Sequence, residues 1–264
     1  MSSAHILAIT NQKGGVGKTT TAINLAAGLS ELGQRVLLID LDPQGNATMG
    51  SGVDKRACAR TVYHVLLRQA SLGAAVQRPA RAGFAVLPAN RDLAGAEVEL
   101  VAEARREYRL KEALERHTEE YDFILIDCPP ALNLLTVNAL AAAHAVLIPM
   151  QCEYFALEGL SDLVNTIKKV KSGLNPGIEI EGLLRAMFDP RNSLAQQVSE
   201  QIKRHFGDKV YDTVIPRNVR LAEAPSHGLP GIAYDRAAKG AVAYLQLAGE
   251  IVERRLAATK RGKE

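Results

Sequence analysis

The 264-residue chain reads as an α/β fold: a single doubly wound, mostly parallel sheet with helices on both faces. Three observations predict it. Short apolar runs without polar interruption recur along the chain, as expected of strands covered on both faces. Segments with apolar residues at helical spacing separate them, and such alternation marks a parallel sheet. The first apolar run leads directly into a glycine-rich loop and then a helix, an arrangement that binds phosphate at the edge of such a sheet.

Ile6-Leu7-Ala8-Ile9 is the first strand, and Lys13-Gly14-Gly15-Val16-Gly17-Lys18-Thr19-Thr20 follows as a phosphate-binding loop. Its glycines let backbone N–H groups turn inward around a triphosphate, Lys18 reaches the β and γ phosphates, and Thr19 offers a hydroxyl to Mg²⁺. Lys13 is surplus to such a loop, and its charge calls for a separate explanation. Ala22, Ile23, Leu25, Ala26, Leu29 and Leu32 then repeat at helical spacing, and Gly33 supplies a stop.

Val36-Leu37-Leu38-Ile39 is the second strand, ending in Asp40-Leu41-Asp42-Pro43-Gln44-Gly45-Asn46. Acidic groups at that end face the ligand crevice of an open α/β sheet. A helix is expected over residues 62–69, a short strand at 84–87 and two helical segments within 92–119. Phe123-Ile124-Leu125-Ile126 leads into Asp127-Cys128-Pro129-Pro130, the form of a Walker B site whose Asp127 can hold Mg²⁺. Strands follow at 145–149, 178–186 and 214–216, with helices near 157–171, 194–205 and 238–256. With no linker or internal repeat, residues 1–264 form one expected domain with a basic tail at 254–264.

Composition excludes several classes. With 47% hydrophobic and 23% charged residues the chain can bury a sizeable core. The longest apolar run, 139–150, is broken by His144 and Pro149 and falls short of the ~20 residues of a spanning helix. The N-terminus has no secretory pattern, and three cysteines without CxxC spacing fit a reduced, cytoplasmic protein without a Cys-based metal site. The net charge of +3 does not mark a nucleic-acid-binding protein. Its distribution is uneven, because Arg254 to Glu264 carries five cations against one anion. That fits either a solvated helix end or contact with a polyanion.

KGGVGKTT, LIDLDPQGNAT, ILIDCPP and VIPRNVRLAEAPSHG occur in this order over nearly the whole chain. Together they resemble the ParA/Soj family of chromosome-partitioning ATPases, P-loop NTPases of the deviant Walker A type. The resemblance implies ATP and Mg²⁺, an ATP-dependent homodimer, non-specific binding to double-stranded DNA on the nucleoid, and a ParB/Spo0J-like partner that stimulates hydrolysis. It gives Lys13 a role, crossing the interface of a nucleotide sandwich dimer to the partner's phosphates; with Lys18 and Asp42 it makes up the expected catalytic set. Asp42 resembles the carboxylate that orients the attacking water. Asp40, two residues earlier and on the same face of an extended strand, is expected to support the Mg²⁺ shell with Thr19 and Asp127.

Adenine binding carries over onto Pro216, Arg217 and Asn218. Arg191 and Arg220 match positions that similar proteins use on DNA, and Lys203, Arg204, Arg254 and Arg255 extend the candidate patch. No stable membrane association is expected, since residues 257–264 hold no bulky apolar or aromatic side chain. With the loop starting at residue 13, no N-terminal helix-turn-helix is expected.

Overall fold

A computed structural model describes residues 4–261, with the side chains of 258–261 outside that description. Seven strands run β1 (His5–Ile9), β2 (Val36–Asp40), β3 (Ala85–Leu87), β4 (Phe123–Asp127), β5 (Ala145–Met150), β6 (Glu179–Phe188) and β7 (Val210–Pro216). They form one sheet in the order β3-β2-β4-β1-β5-β6-β7, and every ladder between them is parallel.

The unbroken apolar runs are explained by two cores. Ile6, Ala8, Leu37, Ile39, Ile124, Ile126, Val146 and Ile148 belong to one. Their strand neighbours Leu7, Ile9, Leu38, Leu125 and Leu147 belong to the other, as a side-chain period of two requires. Helices Lys18–Glu31 and Lys239–Arg261 cover the second core. Helices Leu134–Ala142, Ala156–Gly173 and Ser193–Phe206 cover the first, with the short helices of residues 62–114. The helices over the second core cross closely at Gly28, where a Cβ would lie 3.0 Å from the Ala248 Cβ and 3.1 Å from the Tyr244 carbonyl oxygen.

The expected strand at 145–149 is β5, and the apolar residues just before it end a helix, Leu134–Ala142, that was not among the expected elements. That helix has most of its residues buried, so its sequence lacks an amphipathic period to read. One expectation is corrected: the strand expected at 214–216 begins at Val210, its first half hidden in the sequence because Asp212 and Thr213 interrupt the apolar pattern, their N–H groups donating to the Glu250 carboxylate at 2.9 and 3.0 Å. The two helical segments expected within 92–119 are helices Leu93–Glu99 and Arg109–Leu114, shorter than the segment and separated by single 3₁₀ turns. Of the basic tail, residues 262–264 and the side chains of Lys260 and Arg261 lie outside the described residues.

Candidate functional site

Strand β1 lies between β4 and β5, so the chain leaving Ile9 emerges at the middle of the sheet's C-terminal edge. Gly15 and Gly17 have φ of +73° and +92°, left-handed values that favour glycine. A Cβ built on Gly14 or Gly15 would meet nothing within 4 Å, so the loop is open along that side. Val16 anchors its inner side in the core. Helix Lys18–Glu31 starts immediately after Gly17 and points its free N–H groups and positive dipole end at the loop. Lys18 is 7% exposed, and its Nζ donates to the Lys13 carbonyl at 3.0 Å. Burial lowers its pKa, an effect that the charges of Asp127 and Asp42 oppose.

Asp40 and Asp127 are register partners at the ends of β2 and β4, both fully buried. Their environments differ. Asp40 Oδ2 accepts from the Thr48 N–H at 2.8 Å and the Thr48 hydroxyl at 2.7 Å, while Oδ1 accepts from the Asp42 N–H at 3.2 Å. Burial raises its pKa to about 6. The Asp40 carboxylate therefore fastens the segment that carries Asp42. Among the described residues neither oxygen of Asp127 has a hydrogen-bond partner of ordinary geometry, the Thr19 hydroxyl being the neighbouring donor. Burial, and then the nearby charge of Asp40, push its pKa well up, with the Thr19 hydroxyl and Lys18 favouring its charged form. A buried carboxylate without a partner is costly, and a hard cation held between it and the Thr19 hydroxyl removes that cost. The oxygen donors present thus fit Mg²⁺.

Asp42 is half-buried; its Oδ1 accepts from the Gln44 N–H at 2.9 Å, which fixes the carboxylate's orientation. The second oxygen has no hydrogen bond among the described residues and is available to a water.

The continuation of β5 grips the loop at residues that the sequence reading missed. The Pro149 carbonyl accepts from Asn11 Nδ2 at 2.9 Å, and the Lys13 N–H donates to Asn11 Oδ1 at 3.0 Å. Gln151 Nε2 donates to the Gly15 carbonyl at 3.0 Å and lies 3.4 Å from the Met187 sulfur. Lys13 is exposed on the rim, and its ammonium pairs with Glu153 rather than turning into its own loop. Polar residues at alternate positions after β5, Gln151 and Glu153, were the available signal.

Pro216, Arg217 and Asn218 line a cavity of about 300 Å³ beside the loop, with Gly17, Thr20, Met187 and Tyr244 also on its walls. Asn218 Oδ1 caps helix Val219–Glu223 by accepting from the Leu221 N–H at 3.3 Å.

The six candidate cations separate into two groups. Phe188 pairs with Pro216, so the loops after β6 and β7 leave the same edge, placing Arg191 and Arg220 at the end of the sheet that carries the loop. Arg191 chelates Asp189 with bonds of 3.0 and 2.9 Å, and Arg220 pairs with Glu223 at 2.9 Å and Asp235 at 3.5 Å. Lys203 and Arg204 lie in the last turn of helix Ser193–Phe206, which returns the chain to the sheet's other edge. Arg254 and Arg255 are at that other edge too, and they are engaged there. Arg254 donates to the Asp208 and Val210 carbonyls, pairs with Glu250 and stacks on Tyr211; Arg255 donates to the Asp122 carbonyl and stacks on Phe123.

A protein-family profile described as an AAA domain matches residues 4–180. An uncharacterised protein of Pseudomonas putida is 61% identical over 95% of both chains. Chromosome partitioning protein ParA of Caulobacter vibrioides is 54% identical over 95% of this chain and 94% of its own length. Sporulation initiation inhibitor protein Soj of Bacillus subtilis is 55% identical over 93% and 97%. Among solved structures, cobyrinic acid a,c-diamide synthase from Mycobacterium smegmatis with bound ATP analog and magnesium matches with a TM-score of 0.82 and 39% identity, over 93% of both chains. The phosphate loop, the paired strand-end carboxylates and these near full-length matches agree: the chain belongs to the ParA/Soj family of chromosome-partitioning ATPases.

Proposed function

We propose that this ATPase binds ATP and Mg²⁺, closes into a sandwich dimer around two nucleotides, and in that state binds double-stranded DNA without regard to sequence. A ParB/Spo0J-like partner then stimulates hydrolysis, and the dimer lets go of the DNA. The single observation carrying this reading is the division of labour between two lysines. Lys18 is buried beneath the loop, whereas Lys13 is half-exposed on its rim with its ammonium directed away from it. A cation placed there suits a phosphate brought by another molecule.

Backbone N–H groups of 14–18 and the Lys18 ammonium bind the phosphates, and the 300 Å³ cavity between Gly17 and Asn218 takes the base. Thr19 and Asp127 would hold Mg²⁺, which when bound neutralises charge on the phosphates. Asp42 orients the attacking water with its free oxygen and accepts a hydrogen bond from it. Lys13, from the partner, adds the positive charge that stabilises the transferring phosphoryl group, the kind of inserted cation worth roughly 10³–10⁵ in rate elsewhere. Adenine contacts fall to Pro216, Arg217 and Asn218. The DNA surface centres on Arg191 and Arg220 at the nucleotide end of the sheet, and Lys203 and Arg204 are more distant contributors. The engaged guanidinium groups of Arg254 and Arg255 brace the last helix.

DNA retardation with no nucleotide, ADP, ATP and a slowly hydrolysed analogue, at two salt concentrations, tests this. Retardation is expected with ATP and the analogue alone and should weaken steeply with salt. Equal retardation in all four states would contradict it.

A further inference from the structure

We propose that Glu153 is a positioning residue for Lys13, one that holds the ammonium on its own chain and so opposes closure of the dimer. This rests on the sandwich-dimer reading and adds a control to it.

The end of β5 and the connection that follows it meet the phosphate loop and its approach at three points. The Pro149 carbonyl takes Asn11, the Gln151 amide takes the Gly15 carbonyl, and the Glu153 carboxylate takes Lys13. All three contacts come from the end of β5 and the five-residue connection to helix Ala156–Gly173, so one short segment sets them together. The Glu153 backbone is itself fixed: its N–H donates to the Gln151 carbonyl at 3.0 Å and its carbonyl accepts from the Ala156 N–H at 2.9 Å. The carboxylate is therefore presented from a held backbone at the start of helix Ala156–Gly173.

Solvation decides what this pair does. Both side chains are 49% exposed, and an exposed ion pair is weak enough to open readily. Next to Glu153, Tyr154 and Phe155 are 73% and 67% exposed, packed edge to face with ring centroids 5.0 Å apart. A second copy closing over this rim removes water from it. Once Lys13 has turned to the other chain's phosphates, Glu153 is left as a carboxylate without its partner, desolvated and near like charge. Both effects are unfavourable, so the charge at 153 sets a threshold against closure.

Glu153→Gln keeps the length of the side chain and removes the charge. The measurement is the dimer dissociation constant of the full chain, by light scattering with saturating slowly hydrolysed ATP analogue and Mg²⁺. Each dimer releases two such pairs, and one exposed pair is worth roughly 1.5- to 5-fold, so Glu153→Gln should tighten the dimer about 2- to 25-fold. Glu153→Asp should sit near wild type, ADP affinity of the monomer should be unchanged, and added salt should narrow the gap between wild type and Glu153→Gln. If Glu153→Gln melts early, Glu153→Ala must show the same tightening. A dimer that is unchanged or weaker in the neutral variants overturns the proposal. Wild-type protein that stays monomeric with the analogue overturns the sandwich reading instead, which separates the two failures.

Discussion

Asp127 and Asp42 are carboxylates with opposite surroundings, and substitution should separate them. Asp127 is buried without a hydrogen bond of ordinary geometry among the described residues, and burial holds its pKa well above that of an ordinary carboxylate. The folded chain therefore keeps this proton to a higher pH than the unfolded chain, and stability is lost as pH rises through the folded value. Asp127→Asn is expected to raise the melting temperature of Mg²⁺-free protein at pH 7.5 by about 2–4 °C, the shift for roughly 1 kcal/mol. The gain should vanish near pH 4, and Mg²⁺ should no longer stabilise the variant in thermal melts. Asp42→Ala should instead bind ATP and dimerise but hydrolyse roughly 10²–10⁴-fold more slowly, as loss of a positioned acid–base group does, in a single-turnover assay. Lys18, Thr19 and Asp127 were legible in the sequence as candidates because each sits at a fixed offset from a glycine or a strand end, whereas Asp42 was singled out by the family resemblance. Asn11, Gln151 and Glu153 were not, since their partners are a carbonyl of a neighbouring strand and a loop about 140 residues earlier in the chain.

At the scale of elements, direction along the sheet matters most. Strands and loops carrying the candidate nucleotide-binding residues were predictable because apolar runs covered on both faces are short and sharply ended. Helix Leu134–Ala142 escaped because burial on nearly all sides erases periodicity. The division of the cations escaped too, since a sequence shows that Lys203 and Arg254 are basic but not which end of a helix reaches which edge. The crossing of helices Lys18–Glu31 and Lys239–Arg261 carries the phosphate loop's support, and it depends on Gly28. Gly28→Val forces that crossing apart and should cost about 1–3 kcal/mol, as overpacking does. Chemical denaturation is expected to show the loss, with weaker ATP binding because the loop's helix shifts.

In the molecule as a whole, the function we propose joins three events: nucleotide binding, pairing of two copies and attachment to DNA. Arg220→Ala should weaken DNA binding to all sequences alike and lower the salt slope by about 1 for each phosphate no longer neutralised, with ATP-driven pairing intact. Equal loss of pairing would assign Arg220 to the interface. The pairing itself is the central claim, and sizing with light scattering at saturating ATP analogue and Mg²⁺ tests it most directly. A dimer is expected for wild type, and a monomer that still binds nucleotide for Lys13→Ala. A monomeric wild type, or a Lys13→Ala protein that pairs as well as wild type, would contradict it.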